Sequence, residues 1–531
     1  MKMNKGVFLC LSGNANLKID SLRLFIDYLS LFGYDTLELG LDDMIKIPEE
    51  PYYGYLRGGY KIQELQSLDE YARKKGIELI PSCQMLGHFG YLKKIPEYDS
   101  IIDIDDILLI GEERTTLLLK RLIHALRLAF KTKHINIGFD EAHHVGLGKY
   151  LDKHGYRNRY DLLLEHLNLV NSLCKKEGFE PEMWSDMFFK LANKGIYYDK
   201  EVKLPQSVLE KIPDEMRICY WDYFTTDKET ISHMIEEHKR MKRPLSFAGT
   251  ITNFAGFAPA NYASIEILRK QLPTVLQNGI DSVLITIWGD DGNDVCPFSC
   301  LPGLFAASCF LNGIYDKENI AESFYKKTGM SYDAFLTLDE PNRTPVNPTL
   351  SHVSISSKSL FYNDPFLGWK DCTLETVGAI DYEKARKELK KAKKMIAKDF
   401  LPIFEKEEAL CSFLSLKYDL GLKTRTFYQK GDKEGLRGLL PVYTKCQKRL
   451  SLFEKKFQEE WFLFNRPYGW DVQTVRLGGL ILRLEECKER LSLFIDGKNE
   501  KIEELEDELL PYAPFDSAFN LYSGFVSVRN L

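Results

Sequence analysis

Eight short apolar segments alternate with helical stretches over the first 330 residues, and this alternation constrains the fold more than any other feature. The segments are nearly continuous in apolar residues, as strands covered on both faces must be. They lie at 6–13, 36–41, 77–84, 134–141, 181–187, 217–223, 245–252 and 282–291. Helical periodicity between them is clear at 19–33, 61–76 and 159–178 and weakest after the fifth segment. The repeats predict an α/β fold, a (β/α)8 TIM barrel over residues 1–330. A doubly wound sheet is the alternative, disfavoured because no Gly-rich fingerprint follows the first segment.

The remainder of the chain has a different pattern. Residues 331–374 are rich in Pro, Asn and Ser, which predicts a connecting segment. From residue 375 to 531, helical periodicity dominates, for example in the stretch at 435–464. The sequence therefore predicts an all-α C-terminal domain after the barrel.

Composition narrows the class of protein. The net charge of −6 argues against a nucleic-acid partner, which usually requires a basic domain. The apolar run from Val7 to Leu11 is shorter than a signal-peptide core, and no stretch approaches the roughly 20 apolar residues of a membrane span. Eleven scattered cysteines indicate reduced thiols. We therefore expect a cytoplasmic protein with no membrane partner.

The tetrapeptide Asp140-Glu141-Ala142-His143 matches the letters of an ATP-dependent helicase box. Such a box works only beside a phosphate loop, in which backbone N–H groups and a Lys hold the phosphates. No G-x-x-x-x-G-K-[ST] pattern occurs in the chain. His143 and His144 do not favour a metal either, because neighbouring residues seldom converge on one ion. We expect neither a cofactor nor a metal.

Asp140 and Glu141 instead end the fourth predicted strand, at the face where barrel enzymes place their active sites. Adjacent residues on an extended segment point in different directions, so the two carboxylates can serve two positions on one substrate. A helix cap and a solvated side chain are the alternative roles. Other strand ends supply further acidic and aromatic side chains: Asp42, Asp43, His88, Trp184, Asp186, Tyr220, Trp221, Asp222, Trp288, Asp290 and Asp291. Carboxylates that accept hydroxyls, beside flat aromatic walls, are typical of a sugar-binding site.

With these residues the chain resembles glycoside hydrolase family 20, the exo-β-N-acetylhexosaminidases, and in particular a bacterial subgroup with a barrel and a C-terminal helical domain. The matching stretches include 51–60, 135–156, 182–192, 220–224, 285–292 and 465–480. The resemblance implies a substrate-assisted retaining mechanism, in which the 2-acetamido oxygen of the sugar attacks C1 and forms an oxazoline intermediate. The implied partner is a glycan that ends in a β-linked GlcNAc, GalNAc or modified N-acetylated amino sugar.

The resemblance also implies residue roles. Glu141 would be the general acid and base, Asp140 would accept the acetamido N–H, and Tyr220 would donate its hydroxyl to the acetamido oxygen. Asp43 with His88 would form a supporting pair near the acid. Two sets of residues would bind the sugar: the walls Trp184 and Trp288, and the hydroxyl ligands Asp222 and Asp290.

Two departures from the family pattern leave the sugar preference open. Relatives usually end strand one with an Asp and an Arg that grip hydroxyls, where this sequence has Cys10 and Gly13. The stretch at 247–259 has Thr252 and Phe254 where relatives tend to carry Trp. Arg57, in the loop after strand two, is a candidate replacement for the missing guanidinium.

Several alternatives remain open. The chain could be a carbohydrate-binding barrel with little turnover, or a retaining glycosidase that uses Asp290 or Asp291 as nucleophile. The C-terminal domain could pack on its own barrel, or it could form a homodimer in which Trp470 and Asp471 reach the neighbouring site.

Overall fold

The computed structural model describes residues 3–254 and 256–511. Eight parallel strands form a closed barrel in sequence order, and β8 pairs with β1 to complete it. All eight predicted strands and the (β/α)8 fold class are confirmed. The strands are β1 Asn4–Cys10, β2 Thr36–Gly40, β3 Glu78–Ser82, β4 His134–Asn136, β5 Glu180–Trp184, β6 Arg217–Trp221, β7 Leu245–Thr250 and β8 Ser282–Ile287.

Amphipathic helices surround the barrel, because each buries one apolar stripe against the sheet. The weak periodicity after the fifth strand corresponds to two short helices, α6 and α7, joined by a loop. The helices of this region are α1 Ile19–Phe32, α2 Ile62–Lys74, α3 Glu113–Ala129, α4 Lys149–His154, α5 Arg159–Lys176, α6 Asp186–Ala192, α7 Gln206–Leu209, α8 Lys228–Lys239, α9 Asn261–Gln277, α10 Leu301–Leu311 and α11 Lys317–Thr328.

From residue 331 to 511 the chain is all-α, as predicted. The segment 331–374 contains helices, and several of its residues are fully buried, including Ser356 and Lys358. Residues 512–531 of the predicted C-terminal domain lie outside the described residues. The helices here are α12 Tyr332–Leu336, α13 Ser356–Tyr362, α14 Asp371–Val377, α15 Tyr382–Ala392, α16 Leu401–Lys417, α17 Leu420–Gln429, α18 Lys433–Phe464 and α19 Trp470–Ile495.

The helical domain packs on its own barrel, because one apolar core runs through both. Phe298, just after the last barrel strand, contacts the rings of Phe400 and Phe464 from the helical domain. Trp470 is buried in its own chain against Phe457, and the Asp471 carboxylate accepts the backbone N–H of Gly469. Both residues therefore have structural roles within one chain. A homodimer stays a prediction.

In the described part of the chain, no helix has the length and apolar character that a membrane crossing requires.

Candidate active site

The loop after β4 carries both predicted carboxylates and has an unusual backbone. Gly138, Phe139 and Glu141 have φ angles of 72°, 75° and 55°. Non-glycine residues in this region cost roughly 1–3 kcal/mol each and persist only where surrounding contacts impose them. Gln84 imposes part of the geometry, since its side-chain oxygen accepts the Phe139 N–H, and a Cβ on Gly138 would lie 2.0 Å from that oxygen. Gln84 therefore helps to hold the loop that carries Asp140 and Glu141.

Asp140 is the less exposed member of the pair, with a side chain 13% exposed. Its Oδ1 accepts a hydrogen bond from Gln84 Nε2 at 2.7 Å, and its Oδ2 lies 3.2 Å from His88 Nε2. Burial alone would raise the pKa of Asp140, but the charge and hydrogen bond of His88 and the hydrogen bond from Gln84 outweigh it and lower the pKa. Burial would lower the pKa of His88, yet Asp140 raises it to about 10. The pair is therefore ionised at neutral pH.

Glu141 is the open member, with a side chain 43% exposed. Its carboxylate lies 3.2 Å from Lys190 Nζ and 3.9 Å from His88 Nε2. Lys190 is held in turn by Asp186, at 3.1 Å, and sits over the Trp221 ring. The Glu141 carboxylate is thus reachable from solvent while two cationic side chains fix its direction.

Asp290 follows β8, and the charges of His88 and Glu141 both act on its carboxyl group. Although the residue is open to solvent at the barrel face, burial of its carboxyl among protein atoms raises the pKa of Asp290 to about 6. The positive charge of His88 opposes this shift, and the negative charge of Glu141 adds to it. The structure therefore brings the two predicted residues Asp290 and Glu141 to one face, together with Asp140 and His88.

Aromatic rings line the barrel interior beneath these carboxylates. Trp184, 2% exposed, has its ring centroid 5.9 Å from that of Trp288. Trp288 Nε1 donates to the hydroxyl of Tyr223 at 2.9 Å, and the Tyr223 ring lies 5.0 Å from that of Trp221. Trp184 and Trp288 thus occupy the interior face predicted for the sugar walls, and Trp221 and Tyr223 extend that face.

The structure does not bring Tyr220 or Asp222 into this cluster, which corrects their predicted placement. Side chains alternate along a strand, and Cys219 and Trp221 face the barrel interior. Tyr220 therefore points outward and packs on His238 of α8, with its hydroxyl donating to Asp222 at 2.7 Å. Asp222 is fully buried and also accepts the backbone N–H groups of Phe224 and Thr225. Its carboxylate holds a turn and is not available to a sugar hydroxyl.

Asp43 has a partner other than the one predicted. Arg57 Nε donates to Asp43 at 2.8 Å, and Arg57 Nη2 donates to the carbonyls of Ser12 and Gly13 at 2.6 Å and 2.8 Å. The expected pair of Asp43 with His88 is therefore replaced by Asp43 with Arg57. The contacts hold the Arg57 guanidinium at the end of β1, beside the position where the family pattern loses its own Arg.

Cys10 ends β1 as a neutral group. Burial, with the charge of Asp290 adding to it, raises the pKa of the Cys10 thiol to about 11. Ser12, two residues later, donates to Asp42 at 2.6 Å, and Asp42 also accepts the Gln84 backbone N–H. Thr252 and Phe254 follow β7, and Thr252 is buried.

Three residues of the cluster were missed from the sequence, namely Gln84, Lys190 and Tyr223. Gln84 directly follows the third strand segment, so a search for polar strand ends could have found it. Lys190 lies four residues after Asp186 on one helix, a spacing that brings side chains together. Tyr223 shares the two-residue period of Trp221. Among residues 3–254 and 256–511, no group of three His, Cys, Asp or Glu side chains is arranged to hold a metal.

The fold and the site together define a (β/α)8 barrel protein with acidic side chains and aromatic rings at the carboxyl ends of its strands. A family model described as Glycoside Hydrolase 20C C-terminal domain matches residues 333–521. The match confirms the resemblance to glycoside hydrolase family 20 for this part of the chain. No curated protein matches the chain.

Solved structures of family members are similar at low identity. A β-N-acetylhexosaminidase from Bacteroides fragilis is 18% identical, with 58% of this chain and 65% of that chain covered and a TM-score of 0.42. An exo-β-N-acetylglucosaminidase from Vibrio harveyi in complex with N-acetylglucosamine is 13% identical, with 64% and 58% covered and a TM-score of 0.44. A Streptomyces plicatus β-hexosaminidase mutant with GlcNAc is 15% identical, with 61% and 68% covered and a TM-score of 0.43. The chain spans about three fifths of the length of the first two.

Proposed function

We propose that this protein is an exo-acting β-N-acetylhexosaminidase that removes a terminal β-linked GlcNAc, GalNAc or related N-acetylated amino sugar from small glycans. The observation that carries the proposal is the separation of the two adjacent carboxylates. The Asp140 side chain is 13% exposed and kept ionised by His88 and Gln84, whereas the Glu141 side chain is 43% exposed. One carboxylate is suited to stabilise positive charge, and the other to exchange a proton with a substrate oxygen.

In the proposed first step, the 2-acetamido oxygen of the sugar attacks C1, and the bond from C1 to the leaving oxygen breaks. Glu141 gives its proton to that oxygen, and the sugar closes into an oxazolinium ion that keeps its N–H. In the second step Glu141 takes a proton from water, which attacks C1 and reopens the ring. The exposed Glu141 carboxyl supports both transfers, because a leaving group and a water molecule can each reach it.

Asp140 is proposed to accept the acetamido N–H and to stabilise the positive charge on the oxazoline nitrogen. An ionised carboxylate has about four acceptor positions, and the contacts from Gln84 and His88 use two of them. The remaining positions can receive the ligand. His88 is thus a positioning residue for Asp140, whereas from the sequence we expected it to pair with Asp43.

Tyr223 takes the role that the family resemblance gave to Tyr220. Its oxygen accepts the Trp288 N–H, so its own proton remains available to the acetamido oxygen. Burial raises the pKa of Tyr223 well above its usual value, and the charge of Asp140 contributes in the same direction. Tyr223 therefore stays protonated, as a donor must.

The remaining residues are proposed to bind the sugar ring. Trp184 and Trp288 supply flat apolar surface, and Asp290, at the end of β8, accepts hydroxyl hydrogens. Arg57 is proposed to replace the guanidinium that relatives carry on strand one, because its contacts with Ser12 and Gly13 hold it at that end of the barrel. Asp43 anchors Arg57 there.

Hydrolysis of aryl β-GlcNAc and aryl β-GalNAc tests the proposed function directly. We expect the full chain to release the aryl alcohol from at least one of the two, with retention of configuration at C1. Sugar binding measured by calorimetry without any product after long incubation would instead indicate a carbohydrate-binding barrel.

Tyr223→Phe and Tyr220→Phe form a matched pair, since each removes one buried hydroxyl from the same segment. For Tyr223→Phe we expect kcat to fall about 10²–10³-fold, as when one preorganised donor to a developing charge is lost. For Tyr220→Phe we expect little change in kcat, because that hydroxyl faces away from the cleft. Steady-state kinetics on an aryl β-N-acetylhexosaminide compares them, and the reverse order of effects would return the role to Tyr220.

A further inference from the structure

The loop after β8, residues 289–294, connects the proposed sugar-binding residue Asp290 to the rest of the chain and has a strained backbone. Three consecutive residues, Asp291, Gly292 and Asn293, have φ angles of 44°, 104° and 54°. Two of the three are not glycine, so neighbouring groups must impose this conformation. We call residues 289–294 the β8 loop.

The C-terminal helical domain supplies those groups. Arg476 of α19 donates to the Asp291 carbonyl through Nη1 and to the Asp291 carboxylate through Nη2, both at 3.0 Å. Lys358 of α13 donates to the same carbonyl at 2.9 Å and lies 3.0 Å from the same carboxylate. Both the main chain and the side chain of Asp291 are therefore held by two cations from outside the barrel.

The next residues of the β8 loop are held in the same way. Gln473 of α19 donates to the Gly292 carbonyl at 3.0 Å and to the Asp294 carboxylate at 2.7 Å. Lys358 also pairs with Asp294 at 2.6 Å. A Cβ added at Gly292 would lie 2.5 Å from Arg476 Nη1, so the loop and α19 fit together without spare room.

These contacts are largely shielded from water, and the side chain of Arg476 is 14% exposed. The exposed fractions of the side chains of Lys358, Asp291 and Asp294 are 2%, 10% and 1%. Buried charges of this kind balance one another, and removal of one partner leaves an uncompensated charge in the interior. The conformation of the β8 loop therefore depends in part on Arg476 and Lys358.

We propose that the helical domain positions Asp290 for the substrate, with Arg476 as the principal positioning residue. Asp290 directly precedes Asp291, so displacement of Asp291 moves the Asp290 carboxylate relative to Glu141 and His88. A hydroxyl hydrogen bond weakens steeply with misalignment, so such a shift costs substrate affinity. The assignment rests on the proposed function to the extent that Asp290 binds the sugar. Through this contact the helical domain would contribute to the geometry of a site that the barrel carries.

Arg476→Met tests the assignment, with Arg483→Met as the matched control. Arg483 lies two turns further along α19 and makes a two-pronged pair with Asp364, at 2.7 Å and 3.1 Å, away from the β8 loop. On an aryl β-N-acetylhexosaminide we expect Arg476→Met to raise KM about tenfold, the loss expected for one misaligned hydrogen bond to a charged group, with a smaller change in kcat. We expect Arg483→Met to retain the wild-type KM.

A double-mutant cycle separates positioning of Asp290 from a general loss of stability. If Arg476 acts through Asp290, the variant combining Arg476→Met with Asp290→Asn should have the KM of Asp290→Asn alone. Arg476→Lys should recover part of the affinity. The assignment would be overturned if the two substitutions raised KM independently, so that their factors multiplied in the double variant. It would also be overturned if Arg476→Met left KM unchanged.

Hydrogen exchange gives a readout that does not depend on turnover. In the full chain we expect Arg476→Met to speed amide exchange in residues 289–294 and Arg483→Met to leave it unchanged. If Arg476→Met does not fold, Gln473→Met, which removes one uncharged donor to the same loop, should show a smaller effect of the same sign. Failure of the wild type to hydrolyse any N-acetylhexosaminide would reject the proposed function alone. Unchanged exchange in the β8 loop would reject the positioning role.

Discussion

Glu141→Gln should reduce turnover of a β-N-acetylhexosaminide with a poor leaving group, such as a second sugar, by about 10²–10⁴-fold, the usual contribution of a positioned general acid. The amide has the shape of the carboxyl group but cannot give up a proton to the leaving oxygen. A dinitrophenyl leaving group needs little protonation, so the loss in the bond-breaking step should be much smaller for that substrate. Pre-steady-state release of the leaving group from the two substrates makes the comparison.

The variant is expected to fold normally, because the Glu141 side chain is 43% exposed and an amide can still contact Lys190. Equal melting temperatures for the variant and the wild type serve as the control. Unchanged turnover, or equal losses for the good and poor leaving groups, would show that another residue is the acid.

Asp140→Asn should lower kcat by about two to four orders of magnitude, comparable to the removal of a group that stabilises transition-state charge. The carboxylate is kept ionised by His88 and Gln84, and the neutral amide cannot balance the positive charge of the oxazoline. The variant should also bind a thiazoline analogue of the intermediate much more weakly, while its affinity for GlcNAc itself should change less.

Calorimetry with the thiazoline and with GlcNAc separates these effects. Asp290→Asn is a suitable comparison, since Asp290 lies in the same cleft but is proposed to contact hydroxyls rather than the reacting group. It should weaken both ligands to a similar degree. A tenfold or smaller loss of kcat in Asp140→Asn would contradict the charge-stabilising role.

The strand pattern was sufficient to predict the barrel, because a parallel strand covered on both faces must be apolar along its length. It also located Asp140, Glu141, Trp184, Trp288 and Asp290, since the carboxyl ends of all eight strands meet at one face. The same pattern could not decide which face of β6 lines the cleft. Both faces of that strand are apolar, so the sequence alone does not tell whether Tyr220 or Tyr223 faces the barrel interior. The structure shows which side chains of the strand point inward.

The ion pairs that position the charged residues of the site join distant parts of the chain, so the strand pattern could not predict them. Lys190 reaches Glu141 from a different strand–helix unit, and Asp43 holds Arg57 at the end of β1 through an ion pair. The positive φ angle of Glu141 likewise results from contacts with neighbouring loops. Arg476 lies 185 residues from Asp291, beyond any local pattern.

The role of the substrate's own acetamido group is tested most directly by comparing two aryl β-glycosides with one leaving group, the 2-acetamido sugar and the 2-hydroxy sugar. An internal attacking group can accelerate its step by several orders of magnitude over an external one. We therefore predict that kcat/KM for the 2-acetamido substrate exceeds that for the 2-hydroxy substrate by about 10³-fold or more. Comparable values for the two would contradict the account and indicate an enzyme nucleophile, for which Asp290 is the candidate.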